Sequence, residues 1–177
     1  GEPLLHPEIL EILSILSKNA RIEIVTNGDH LSREVIGDLL NAGADYLVVS
    51  MYDGPHQIKI YTDMFAGVGR DDDFFLLRDR WHSKEDGFGL KLTNRAGTID
   101  IGDQDPVDVS HPCHYPAYSM TIDWNGDALL CVQDWNKKVK LGNIFSQSLI
   151  EIWVSTNLSK RRIQLAHGSR KLSPCAL

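Results

Sequence analysis

No stretch of this sequence approaches the ~20 consecutive apolar residues that cross a bilayer. It does not open on a basic segment followed by an apolar one, so it shows no secretory signal. A positive charge excess is missing too: 18 Lys and Arg face 24 Asp and Glu, a net charge of −6, which argues against broad binding to nucleic acid or an anionic membrane. The basic clusters that do occur, "NKKVK" from Asn136 and "SKRRIQ" from Ser159, read as solvated faces. Internal repeats and low-complexity tracts are lacking. Cysteine is scarce and odd in number, with Cys113, Cys131 and Cys175 all in the second half. An odd set without a secretory signal does not make a disulfide framework. That leaves buried thiols, a metal site or redox chemistry. There is no initiator Met, and the chain stops two residues after Cys175, so a piece trimmed at both ends is expected.

What is present suffices for a core. Of 177 residues, 42% are hydrophobic and 24% charged, ordinary for a soluble chain of one large or two small domains. Residues 7–18 place Ile9, Ile12, Leu13, Ile15 and Leu16 at helical spacing, with Pro7 suited to a first turn. "RIEIVTNG" reads as a strand, and "LSREVIGDLLNAG" as a helix capped by Ser32 and ended at Gly43. "ADYLVVSMYDG" is a second strand, "HQIKIYTDMFAGVG" a helix and "DFFLLRDRWH" a third strand. Near-continuous apolar strands alternating with helices predict a parallel sheet covered by helices, hence an α/β fold. Polar residues collect where these strands end: Thr26-Asn27-Gly28, Ser50 to Asp53, and Arg78-Asp79-Arg80. In parallel α/β folds that edge takes small molecules.

From about Leu90 the texture changes. "TNRAGTIDIGDQDPVDVSHP" reads as a connector. "SMTIDWNGDALLCVQDW" then reads as a β-hairpin, with Asn125-Gly126 as a two-residue turn and Cys131 in a return strand from Ala128 to Val132. Ser148 to Ser155 and Leu158 to His167 read as helices, with Gly168 as C-cap and Pro174 preventing further helix. The division expected is residues 1–95 and residues 96–177. Cys113 in "HPCHYP" and Cys175 in "SPCAL" lie in proline-flanked loops, poor places for core fillers and good ones for thiolate ligands. Zinc would need a fourth ligand, available in His111, His114 or His167; an iron–sulfur cluster would want four thiolates. On the residues alone these remain open beside the buried thiol.

Together these segments resemble a known family. "GEPLLHPEI" resembles the "GGEP" segment of radical S-adenosylmethionine (radical SAM) enzymes, and "IEIVTNG" and "YLVVSMYD" the next two strands of their partial (β/α) barrel. "KLTNRAG", the Cys-x12-Gly-x4-Cys spacing through Cys113, Gly126 and Cys131, then "GNI", "SLIEIW", "GSR" and "PC" resemble the C-terminal SPASM/twitch extension, a small α+β domain with a hairpin. The chain departs from the family twice. It has no C-x3-C-x2-C loop for the SAM-cleaving cluster, and it ends Cys175-Ala176-Leu177 where the single-cluster extension usually ends Cys-x2-Cys. The missing loop is expected upstream, and a further cysteine directly downstream.

The resemblance implies roles. Gly1, Glu2 and Pro3 would meet the methionyl ammonium of S-adenosyl-L-methionine, Thr26 and Asn27 would line the adenosine pocket, Ser50 would lie near the ribose, and Arg78 would face the SAM carboxylate or the substrate. Plainer roles also exist: a first-turn helix charge for Glu2, a turn cap for Ser50, a surface ion pair for Arg78. Cys113, Cys131 and Cys175 would hold an auxiliary 4Fe-4S cluster. The implied activity is a cytoplasmic oxidoreductase. It would make a 5′-deoxyadenosyl radical, with the auxiliary cluster as electron acceptor, and oxidise a small substrate such as a cyclitol or aminosugar. The implied partner is a reducing protein such as flavodoxin or ferredoxin, with no nucleic acid and no membrane. An epimerase, a peptide maturase and a non-catalytic zinc-binding module are the alternatives. Trp81, His82, Asn94, Arg95 and Trp135 are unranked substrate-pocket candidates.

Overall fold

The computed structural model describes residues 1–68, 72–81, 110–171 and 174–175. The chain divides into two compact units, Gly1–Lys91 and Leu92–Leu177. The boundary expected at residues 95 and 96 lies outside the described residues.

In the first unit, α1 (Ile9–Leu16), β1 (Glu23–Thr26), α2 (Arg33–Asn41), β2 (Tyr46–Met51), α3 (His56–Phe65) and β3 (Phe75–Asp79) alternate, with a 3-10 turn at Pro3–Leu5. The strands form a parallel sheet in the order β1-β2-β3. α2 starts at Ser32, whose hydroxyl accepts the Val35 amide at 3.1 Å, as expected of a cap. One face of the sheet is dry. Ile24, Leu47, Val49 and Met51 pack there against Leu13, Ile36, Leu39 and Phe65, one residue or more from each helix. Phe65 stacks on Phe75 with ring centres 4.2 Å apart and meets Phe74 edge-on at 5.6 Å.

The other face differs. Val25, Val48 and Leu76 are register neighbours across the three strands, and none belongs to that core. Val25 is 44% and Leu76 42% exposed. Parallel sheets are ordinarily covered on both faces. Here, among the described residues, the α1–α3 core lies on one face only.

The second unit holds α4 (Tyr115–Tyr118), β4 (Thr121–Ile122), β5 (Asp127–Leu129), β6 (Lys140–Asn143), α5 (Leu149–Trp153) and α6 (Thr156–Ala166). Its sheet is antiparallel, β4-β5-β6. α5 begins with a full capping box: Ser148 accepts the Glu151 amide at 3.2 Å and Glu151 accepts the Ser148 amide at 2.7 Å. Gly168 (φ +76°) closes α6, its amide donating to the Leu165 carbonyl while Ser169 donates to Gln164. Leu130, Val139, Leu158 and Leu165 form the core.

The hairpin departs from expectation in two ways. Only Gly126 of the Asn-Gly pair has positive φ, at +82°, whereas a two-residue type I′ turn needs it at both positions. The loop is longer, with the Gly126 amide donating to Asp123 at 2.8 Å and the Asp123 amide to Asp127 at 2.9 Å. The return strand ends at Leu129, so Cys131 lies beyond it rather than in it. The β5–β6 pairing shifts register between Ala128 and Leu129, Leu129 pairs with Lys140, and β5 ends there. α4 and β6 were not anticipated. No described helix is long and apolar enough to cross a membrane.

Candidate SAM pocket and thiol centre

Glu2 precedes the 3-10 turn and reaches the end of β1. Its Oε1 accepts the Thr26 hydroxyl at 2.7 Å and the Leu4 amide at 3.0 Å, and its Oε2 accepts the Asn27 amide at 2.8 Å. Partial burial alone would raise the carboxyl pKa. The donors from Asn27, Thr26 and Leu4, with His30 nearby, outweigh it and hold the pKa below the usual glutamate value. A carboxylate offers about four acceptor positions, and three are taken within the chain. Thr26 also accepts the Gly28 amide at 3.1 Å, tightening the turn. Gly28 has φ +86°, and a Cβ there would fall 2.3 Å from the Tyr61 hydroxyl, so only glycine fits.

Beside this carboxylate is a cavity of about 340 Å³ lined by Gly1, Glu2, Thr26, Asn27 and Ser50, together with Val25 and Tyr52. Five of the seven expected pocket residues therefore converge. Pro3 heads the 3-10 turn without lining the cavity. Arg78 stands opposite Ser50 in the β2–β3 ladder but is not in the lining either. Asn27 serves through its backbone, because its side chain bonds Asp29 at 2.8 Å. Val25, one residue before Thr26, was missed, and Tyr52 lies within the Ser50 to Asp53 strand end without having been singled out.

In the second unit all three cysteines are free and half-buried. Cys113 and Cys175 pack on the same core as Leu130 and Val139. The Cys113 amide donates to Leu165 at 2.9 Å, anchoring that loop to the end of α6. At Cys131, burial pushes the thiol pKa up, the Gln133 amide opposes this, and Cys175, Cys113 and Asp134 add to the rise. The Gln133 amide stands 3.4 Å from the Cys131 sulfur, a donor suited to a thiolate. No three Cys, His, Asp or Glu side chains among the described residues gather tightly enough for a single metal ion. A 4Fe-4S cluster spreads its thiolates over separate irons. Two half-buried thiols on one core and a third, Cys131, close enough to feel both, with an amide aimed at its sulfur, fit such a cluster better than a zinc ion held with His111, His114 or His167. Trp135 lies in the loop after Cys131 and Trp81 just past β3, whereas His82, Asn94 and Arg95 lie outside the described residues.

Residues 113–176 match the SPASM family, an iron–sulfur cluster-binding domain. Over 175 residues the chain is 28% identical to the S-adenosyl-L-methionine-dependent 2-deoxy-scyllo-inosamine dehydrogenase of Niallia circulans, covering 96% of this chain but only 66% of that protein. It is also similar to the crystal structure of BtrN in complex with AdoMet and 2-DOIA (TM-score 0.78, 28% identity, 99% of this chain and 68% of that one). An open conformation of selenomethionine BtrN is similar in fold (TM-score 0.69, 23% identity, 99% of this chain and 66% of that one). The match opens at Cys113 and takes in Cys131 and Cys175. Residues 113–176 thus match an iron–sulfur cluster-binding domain, and over nearly its whole length the chain is similar to an S-adenosyl-L-methionine-dependent dehydrogenase.

Proposed function

We propose that the chain is the SAM-binding and auxiliary-cluster portion of a radical SAM dehydrogenase acting on a small cyclitol or aminosugar. The observation that carries this is the cavity at the end of β1 and β2, where an ionised Glu2 keeps one acceptor position and Ser50 stands at the same edge. When bound, S-adenosyl-L-methionine supplies a hydrogen-abstracting radical and the auxiliary 4Fe-4S cluster an electron acceptor. The chain supplies placement. Glu2 takes the ligand ammonium, a charge-assisted contact. Ser50 offers a hydroxyl to the ribose, and Val25 an apolar wall. Arg78, beside Ser50 in the ladder, lies on the same face of the sheet, suited to a carboxylate. The face carrying Val25, Val48 and Leu76, exposed at Val25 and Leu76 but buried at Val48, is the expected inner surface of a partial barrel over residues 1–95. Residues 96–177 form the auxiliary domain, with Cys113, Cys131 and Cys175 as ligands.

Dehydrogenation is favoured over epimerisation because an epimerase needs a hydrogen donor, often a thiol, and all three thiols here are assigned to the cluster. A reducing partner such as flavodoxin or ferredoxin and a cytoplasmic setting belong to this reading. The test is anaerobic reconstitution with iron and sulfide, followed by calorimetric titration with S-adenosyl-L-methionine. Absorbance near ~400 nm and ligand binding that weakens in Glu2→Gln are expected. A colourless protein that prefers zinc would overturn the cluster; binding indifferent to Glu2 would overturn the pocket.

A further inference from the structure

Asp134 is fully buried, at 0% exposure. Its Oδ1 accepts the Lys138 amide at 3.0 Å and its Oδ2 the Val139 amide at 2.8 Å. Its own amide donates to the Cys131 carbonyl at 3.1 Å, and its carbonyl accepts from Lys137, which turns back with φ +52°. The Leu130 amide reaches the Val139 carbonyl at 3.3 Å and closes the neck of the loop. Asp134 thus ties the segment from Cys131 to Val139 together, through its backbone at Cys131 and Lys137 and through its carboxylate at Lys138 and Val139. Both carboxyl oxygens act as acceptors, the pattern of an anion. Among the described residues it has no ion-pair partner, although exposed or half-exposed lysines nearby pair with Asp123 and Asp127. A buried charge left without a counter-ion is costly, and it sits three residues from a thiol assigned to the cluster.

We propose that Asp134 is a positioning residue for the auxiliary cluster, holding the Cys131 loop and lowering the cluster's reduction potential as a fixed buried anion. The inference rests on the cluster reading above. Reduction adds negative charge to a cluster, and an unscreened carboxylate in a low-dielectric core opposes that. Hydrogen bonds to sulfur act the other way, and net charge and sulfur hydrogen bonds are among the factors that set such potentials. The Gln133 amide and the Asp134 carboxylate, on consecutive residues, therefore pull in opposite directions. An asparagine would present its NH₂ to one of two amides that need an acceptor, so the side chain's shape and its charge must be separated by experiment.

The test uses the whole chain, reconstituted anaerobically with ferrous iron, sulfide and a small thiol for the fourth position. Cluster potential is then read by redox titration and electron paramagnetic resonance. Asp134→Asn is expected to hold iron and titrate at a higher potential than the wild type. Asp134→Glu, which keeps the charge, is expected to stay closer to the wild type. An Asp134→Asn cluster with unchanged potential, an Asp134→Glu shift as large as that of Asp134→Asn, or failure of both variants to hold iron would overturn the proposal. In the last case the residue would be merely structural. A wild type that takes up no cluster would instead sink the reading beneath it.

Discussion

At the scale of a residue, Glu2 carries the most testable chemistry. Its folded pKa lies below its unfolded one, so folding favours the ionised form. The resulting stability is present above the unfolded value, about 4.3, and is lost as pH falls through the folded value. Glu2→Gln removes that dependence. At neutral pH the variant is expected to be less stable by about 1 kcal/mol, since charged hydrogen bonds contribute more than neutral ones but a partly exposed carboxylate is screened. The gap between wild type and variant in urea midpoint should close on acidification through the carboxylate range; a gap constant with pH would show that the three donors do not hold an anion. Thr26 and Ser50 were legible in the sequence because polar residues at the ends of apolar strands have few other reasons to be there, and Glu2 through the likeness of its segment to a known motif. Val25 was not, because a β-branched residue at a strand end looks like an ordinary sheet residue. The use of Asn27 through its amide was hidden as well, since sequence reading weighs side chains.

Among the elements, the longer helices were the most legible, with periodic apolar faces and caps at Ser32 and Gly168. Shorter elements were not. β6 is a four-residue run, Lys140 to Asn143, containing Gly142, and it owes its strand character to pairing with β5 rather than to its own propensity. Cys131 was misplaced because the apolar run continues in sequence through Val132, whereas Leu129 is the last residue of β5 to pair. The hairpin loop supplies a direct test of its geometry. Gly126 stands at φ +82°, and a Cβ there would lie 2.6 Å from the Phe145 ring. Gly126→Ala should therefore cost at least the left-handed penalty of about 1–2 kcal/mol, read as a lower urea midpoint. Trimming the ring as well, with Phe145→Ala, should lessen the additional loss caused by the alanine. If Gly126→Ala is neutral, the turn is not held left-handed, and the glycine within the Cys-x12-Gly-x4-Cys spacing has another purpose.

For the molecule as a whole, the division of labour follows the cysteines. All three fall in the second unit, while the carboxylate-lined cavity lies in the first. Among the described residues, the core against which Cys113 and Cys175 pack is small, built on Leu130, Val139, Leu158 and Leu165. A core of that size gains much from a bound group that cross-links its loops, because the free energy of ligation is then folding free energy. Replacing Cys113, Cys131 or Cys175 singly by Ser should remove most of the iron taken up on reconstitution and lower the melting temperature of the loaded protein towards that of the unloaded one. Changing His111, His114 or His167 to Ala should leave iron and absorbance near ~400 nm in place, since thiolate sulfur rather than imidazole is the usual ligand of such a cluster. Iron and sulfide analysis of the six variants separates the cases. A histidine variant that lost metal as heavily as the cysteine variants would move the site towards a mixed sulfur–nitrogen centre of the zinc type, and with it would go the electron-accepting role that makes dehydrogenation the favoured outcome.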